Sequence, residues 1–272
     1  MTATLGFGIA SLIAYALAVV LLWRRLPRLR AGETPDKRAA LVMAFIGVLL
    51  HAGALGSCVC ITDGIDLGVL KALSLSGLVS LLIVLVSSVR QPLENLALPV
   101  LPLTMLALAA QLLWPTAPRN IIGSQPALEV HILLSILAYS LFTLAALQAG
   151  LLANQHRALH ERRPVAFSRV LPPLEQMETL LFRLIGAGFV LLTLALITGF
   201  MYLEDIFAQH LVHKTALSLV SWAVFGGLLL GRAFMGWRGR TAVLWTLSGF
   251  GVLLLAYFGS KIVLEWILGI QR

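Results

Sequence analysis

The chain has 272 residues, of which 59% are hydrophobic and only 12% charged, with a formal net charge of +8. A water-soluble surface needs roughly a quarter of its residues charged, so this composition excludes an ordinary soluble globular protein. The positive charge is divided into short clusters between apolar runs, a distribution that argues against a nucleic-acid-binding patch.

Apolar runs close to the ~20 residues that carry a helix across ~30 Å of hydrocarbon lie at 4–23, 40–61, 67–89, 97–114, 131–154, 180–203, 214–235 and 242–265. The expectation is an all-α, polytopic integral membrane protein with about eight transmembrane helices, forming a single membrane domain over 1–272. No Lys or Arg precedes the first run, and the basic cluster Arg24, Arg25, Arg28, Arg30 follows it. A cleavable signal peptide has the opposite order, so 4–23 reads as a retained helix with its N-terminus outside. The second run carries His51 near its middle, and Cys58 and Cys60 near its end. Two residues apart on a helix, the cysteines point to different faces, which suits small apolar packing residues and not a redox C-x-x-C. Pro99 and Pro102 interrupt the fourth run, and prolines are tolerated in membrane helices where neighbours satisfy the freed carbonyls.

A Pro-, Gly- and Asn-containing loop, 115–130, leads to His131 at the start of the fifth run. Ser135, Tyr139 and Thr143 follow at steps of four and share its helix face, a polar stripe expected to face a bundle interior or cavity. The segment His156–Thr179 is basic at first and ends in Leu174–Glu178, a short amphipathic lead-in to the sixth run. His156 and His160, set among arginines, read as solvated. His210 and His213 stand just before the seventh run, with Lys214, Ser218, Ser221 and Trp222 continuing a mixed polar and aromatic face.

Arginines follow the first, fifth and seventh runs, whereas the opposite ends carry mainly Asp63, Asp66, Glu129, Glu204 and Asp205. By the positive-inside rule these basic loops are cytoplasmic and both termini lie on the periplasmic side of a bacterial inner membrane. The basic residues act as topology signals and as contacts with membrane lipid. No G-x-x-x-x-G-K, H-E-x-x-H or G-x-S-x-G motif occurs, so nucleotide hydrolysis, zinc proteolysis and common serine-hydrolase chemistry have no support, and the expectation is a protein that is not an enzyme.

Ionisable side chains at membrane depth mark candidate functional sites, and imidazole is an axial ligand of haem iron. His51, His131 and His213 are therefore the candidate cofactor-binding residues, with His131 and His213 at a shared outer depth as the candidate metal ligands. The alternative for each is a hydrogen bond between helices or a place in the headgroup layer.

Two segments carry a resemblance to a known family. His131–Ser140 resembles the H-V-x-x-x-x-x-x-Y helix start that follows a long outer loop. His213-Lys214-Thr215, Ser221-Trp222, Gly236-Trp237-Arg238-Gly239-Arg240 and Leu255–Gly259 resemble a P-K-E-T-W-A-L-x-x-W helix, a G-W-R-G-R loop and an F-x-G final helix. The chain thus resembles, over about 40–265, the cytochrome c assembly family of haem-handling membrane proteins that includes CcsA, CcmC and CcmF, and most of all its short YpjD/HemX-like branch. In haem-exporting members two membrane histidines and two outer histidines ligate haem beside a tryptophan-rich outer motif. The resemblance implies that His51 matches the first membrane position and His131 the first outer one. The chain departs from the pattern near Leu229–Gly231 and after Gly259, where no histidine falls, and it has no W-G-x-x-W-x-W-D motif.

The reading that follows is an inner-membrane protein that handles haem or serves cytochrome c biogenesis alongside other membrane assembly proteins, with Lys214 placed to pair with a haem propionate. The alternative is a scaffold or accessory subunit of a transport or assembly complex that keeps the fold without haem. A solute transporter has less support, because the runs hold few acidic residues and no paired coupling site. Reporter fusions after Arg30, Arg163 and Arg240 should all read cytoplasmic; an outside signal at Arg163 would overturn the assignment of the second half.

Overall fold

The computed structural model describes residues 2–31, 33, 35–61, 64–65, 68–90, 94–114, 126–160, 171–202 and 209–259. Among these residues the fold is all-α, with eight helices: α1 (Thr2–Arg30), α2 (Arg38–Val59), α3 (Val69–Arg90), α4 (Glu94–Leu113), α5 (Pro126–His160), α6 (Leu174–Tyr202), α7 (Gln209–Met235) and α8 (Gly239–Leu254). All eight are long and apolar enough to cross a membrane. One turn of π-helix, Leu255–Gly259, ends α8. Two two-residue strands, β1 (Cys60–Ile61) and β2 (Gly64–Ile65), pair antiparallel between α2 and α3.

Several helices extend past the apolar runs that predict them. Helix α5 has 35 residues, roughly 50 Å at 1.5 Å per residue, so His131 lies more than a turn inside it and not at its first residue. Its start at Pro126 suits a residue whose fixed φ fits the first helical turn and whose missing N–H is not needed there. The lead-in Leu174–Glu178 is continuous with α6, and α7 begins early enough to include His210 and His213. An apolar window measures only the hydrocarbon crossing, whereas the helix continues into the interface, where charged side chains are tolerated.

The helices fall into two compact units, one containing α1–α4 and the other α6–α8 with α5 as far as Arg157. Lipid tails are as apolar as leucine, so helices associate in hydrocarbon through close packing of small residues and through interhelical hydrogen bonds. The first unit shows both devices. Ala14 and Ala18 on α1 and Ala40, Ala44 and Gly47 on α2 are buried, and Ser11 Oγ donates to Gly47 O at 2.8 Å. Thr104 Oγ1 donates to Gly77 O at 3.1 Å, joining α4 to α3 just beyond the two prolines of α4. Leu5, Phe7, Ile9, Ile13, Leu17 and Val20 lie exposed along α1, as a lipid-facing side requires.

In the second unit Phe142 on α5 stacks on Phe225 of α7 with ring centroids 4.0 Å apart. Gln148 Nε2 donates to Met177 O at 3.0 Å, Trp222 Nε1 to Thr193 Oγ1 at 2.9 Å, and Ser221 Oγ to Gly249 O at 2.9 Å. These bonds join α5 to α6, α6 to α7 and α7 to α8. At the end of the unit that carries the α7–α8 turn, Glu178 accepts the Gly239 N–H at 2.7 Å. This places a carboxylate at the N-terminus of α8, where the helix dipole favours negative charge.

The close contact between α1 and α2 at Gly47 generates a stability test. A Cβ built at Gly47 would stand 2.5 Å from the Tyr15 ring, whereas one at Gly6 meets nothing within 4 Å. Gly47→Ala should destabilise the protein by about 1–3 kcal/mol through overpacking, and Gly6→Ala should not, as read by thermal unfolding in detergent.

Candidate functional site

Helix α2 places His51 inside the first unit with 0% of its surface exposed. Its Nδ1 lies 3.2 Å from the Tyr15 hydroxyl on α1, and its Nε2 lies 2.8 Å from Ser74 Oγ on α3. Tyr15 and Ser74 are equally buried, and the Tyr15 and His51 rings meet edge to face with centroids 6.0 Å apart. A hydroxyl both donates and accepts, so the pair of bonds is satisfied with the imidazole proton on either nitrogen. His51 is therefore a clasp between three helices, both of its ring nitrogens engaged. To ligate a metal it must release one bond and leave a buried hydroxyl unmatched, at about 1–3 kcal/mol.

His131 is held differently. It belongs to the second unit and is half-buried, with Nδ1 2.8 Å from Ala195 O and 3.3 Å from Thr198 Oγ1, both on α6. A backbone carbonyl can only accept, so Nδ1 carries the proton and donates it to Ala195 O. The Thr198 hydroxyl turns back onto its own helix, at 2.9 Å from Leu194 O and 3.0 Å from Ala195 O. In a neutral imidazole a protonated Nδ1 leaves the lone pair on Nε2. No described residue hydrogen-bonds that atom. An N–H to a carbonyl on one side and a bare nitrogen on the other is the usual state of a metal-ligating histidine, its tautomer and ring orientation fixed by the outer partner.

The polar stripe below His131 is mostly satisfied within α5. Ser135 Oγ donates to His131 O at 2.8 Å and Thr143 Oγ1 to Tyr139 O at 2.8 Å, the back-bonding that hydroxyl side chains make inside helices. Only Tyr139 reaches across, its hydroxyl donating to Leu253 O near the end of α8. Its ring meets Tyr257, inside the π-turn, edge to face at 5.5 Å. Isolated π-turns occur frequently at functional sites, and this one sets two tyrosines on the side of α5 that carries His131 and Ser135.

His213 stands exposed near the start of α7. The face that α7 packs inward runs through Ser221, Phe225 and Leu228, all fully buried. At about 100° per residue, Lys214 is in line with Ser221 while His213 lies roughly 80° round the helix. His213 thus borders the packed face, and Lys214, itself exposed, heads it. The side chains of His210, Cys58 and Cys60, and the loop residues Glu204 and Asp205, lie outside the described residues.

Of the three candidate histidines, His131 and His213 share a unit and His51 belongs to the other. No group of three or more His, Cys, Asp or Glu that could hold a metal ion occurs among the described residues. Haem iron makes a smaller demand, because the porphyrin fills its equatorial positions and the protein supplies axial ligands. His156, read as solvated, is partly exposed, and its Nε2 stands 3.9 Å from Glu178 Oε1, too far for a hydrogen bond, with no hydrogen-bond partner among the described residues. Sequence reasoning missed the cap that Glu178 places on α8, because Gly239 lies 61 positions further along the chain.

Eight helices long and apolar enough to cross a membrane, joined by histidine and hydroxyl hydrogen bonds, define a multi-pass membrane protein with no extramembrane domain among the described residues. Residues 41–268 match the family described as Cytochrome C assembly protein. Inner membrane protein YpjD of Escherichia coli is 34% identical over 264 residues, covering 96% of this chain and 98% of its own length. An uncharacterized 28.8 kDa protein from the nifR3-like 5' region of Azospirillum brasilense is 38% identical over 158 residues, 56% of this chain and 58% of its own. Cytochrome c biogenesis protein CcsA of Prochlorococcus marinus is 32% identical over 127 residues, 44% of this chain and 39% of its own. No solved structure matches. The chain belongs to the cytochrome c assembly protein family.

His51→Ala removes the partner of two buried hydroxyls at once. It should destabilise the protein by on the order of 3 kcal/mol, with Tyr15→Phe costing less, as measured by chemical unfolding in micelles. A His51→Ala protein as stable as wild type would refute the clasp.

Proposed function

We propose that this protein handles haem in the inner membrane in the service of cytochrome c biogenesis, as a binding protein and not an enzyme. Haem is its cargo. The observation that carries the reading is the hydrogen bond from His131 Nδ1 to Ala195 O, which orients the ring and leaves Nε2 with a lone pair suited to an iron axial position. Family membership and the likeness to CcsA supply the choice of haem over other ligands.

The basic alternate loops support a topology with both termini in the periplasm, which puts His131 and His213 at the outer face. His131 would then hold the haem iron, with His213, exposed at the start of α7, as a further ligand or a gate residue. Lys214 provides a cation at the same rim for a propionate. His51 contributes by holding α1, α2 and α3 together. The hydrogen bond from Nδ1 to Ala195 O would hold the imidazole in place while Nε2 bound the iron.

The rival reading, a scaffold or accessory subunit that keeps the fold without haem, draws on the engagement of both His51 nitrogens. One absorption experiment separates the two. Detergent-purified protein supplied with haem should show a Soret band near one haem per chain, reduced several-fold in His131→Ala and unchanged in Cys58→Ser. Equal occupancy in wild type and His131→Ala, or no Soret band in either, would leave the scaffold reading standing.

A further inference from the structure

The α7–α8 turn, Gly236-Trp237-Arg238, takes no part in the haem reading, yet it is built with care. Gly236 and Gly239 bracket it, both in the left-handed region at φ 67° and 54°, which side chains other than glycine rarely adopt. Trp237 is pinned down: a Cβ on Gly231 would stand 2.3 Å from its ring, and its indole meets that of Trp245 with centroids 4.9 Å apart. Arg232 is drawn inward, Nη1 donating to Trp237 O at 3.3 Å and the guanidinium lying 4.7 Å over the Phe182 ring. Arg232 therefore serves the turn.

Arg238 and Arg240 are the opposite case. Both are exposed, and no described residue makes a hydrogen bond or ion pair with either guanidinium. The nearby acid, Glu178, is engaged by the Gly239 N–H and faces His156. It also occupies the N-terminus of α8, so that helix end is not an anion cradle. Immediately before the turn stand Phe234, 82% exposed, and Met235, 73% exposed, the two most exposed large hydrophobic side chains described. Two uncompensated guanidiniums beside two outward apolar side chains and an anchored tryptophan match one ligand, with an anionic head and an acyl chain. The tryptophan and arginine also suit the depth of the headgroups.

We propose that the α7–α8 turn is a binding site for an anionic phospholipid, its phosphate held by Arg238 and Arg240 and its acyl chain lying along Phe234 and Met235. The occupant is a lipid and not free phosphate, because the exposed apolar pair has no role toward a water-borne anion. The site stands whether or not the chain binds haem, and its test uses no haem.

The test is quenching of tryptophan fluorescence in mixed micelles by brominated phosphatidylglycerol and by brominated phosphatidylcholine. The Trp237 contribution is isolated by comparison with Trp237→Phe. Wild type should prefer the anionic lipid at Trp237 by about tenfold. The preference should fall to near unity in Arg238→Ala/Arg240→Ala, survive in Arg238→Lys/Arg240→Lys, and be unaffected by Arg24→Ala/Arg28→Ala. Equal quenching by the two lipids in wild type, or a preference that persists in the alanine double variant, would overturn the site.

Discussion

An imidazole buried in hydrocarbon has two ring nitrogens and no water to satisfy them, so each must find a protein partner or be left for a ligand. Much of this protein's organisation follows from how that requirement is met. At His51 both nitrogens meet hydroxyls, and the two hydroxyls belong to different helices. The histidine becomes the point where α1, α2 and α3 are tied, in a medium that offers no hydrophobic force to hold them together. Small residues on α1 and α2 allow the close approach that the bonds need, and Tyr15 fills the space over Gly47.

At His131 only one nitrogen is engaged, and its partner is a carbonyl. The difference is chemical as well as geometric. A hydroxyl accommodates either tautomer, whereas a carbonyl imposes one, so α6 dictates where the proton sits and where the lone pair remains. Two histidines of the same type, in helices of similar composition, are thereby assigned opposite tasks. One holds helices together and the other presents a donor atom. The same economy appears at the other end of the second unit, where Glu178 caps α8 and Arg232 steadies the α7–α8 turn, leaving Arg238 and Arg240 outward.

The hydroxyls of α5 show the limit of reading function from a stripe. Ser135 and Thr143 share a face with His131, but their protons go back to their own helix. Tyr139 alone is long enough to reach another element, and it meets α8 where the helix widens into a π-turn beside Tyr257. Spacing placed these residues on one side of a helix. Reach and competition with the local carbonyls decided which of them act between helices.

The eight apolar crossings, the all-α class and the alternation of charge were all legible in the amino-acid sequence. Hydrocarbon admits only long apolar segments with internally paired backbones, and an ionisable group within one always stands out. The family likeness in His131–Ser140 and around Gly236–Arg240 was legible as well. The full lengths of α5 and α7 were not, because a helix that leaves hydrocarbon stops being apolar without stopping being a helix. Nor were the roles: that His51 is a clasp depends on Tyr15, 36 residues before it, and Ser74, 23 residues after it, while His131 takes its tautomer from a carbonyl 64 residues away. A single chain carries no local mark of which distant hydroxyl or carbonyl will face a given nitrogen. That pairing, which engages both nitrogens of one histidine and a single nitrogen of the other, is made only when the helices pack.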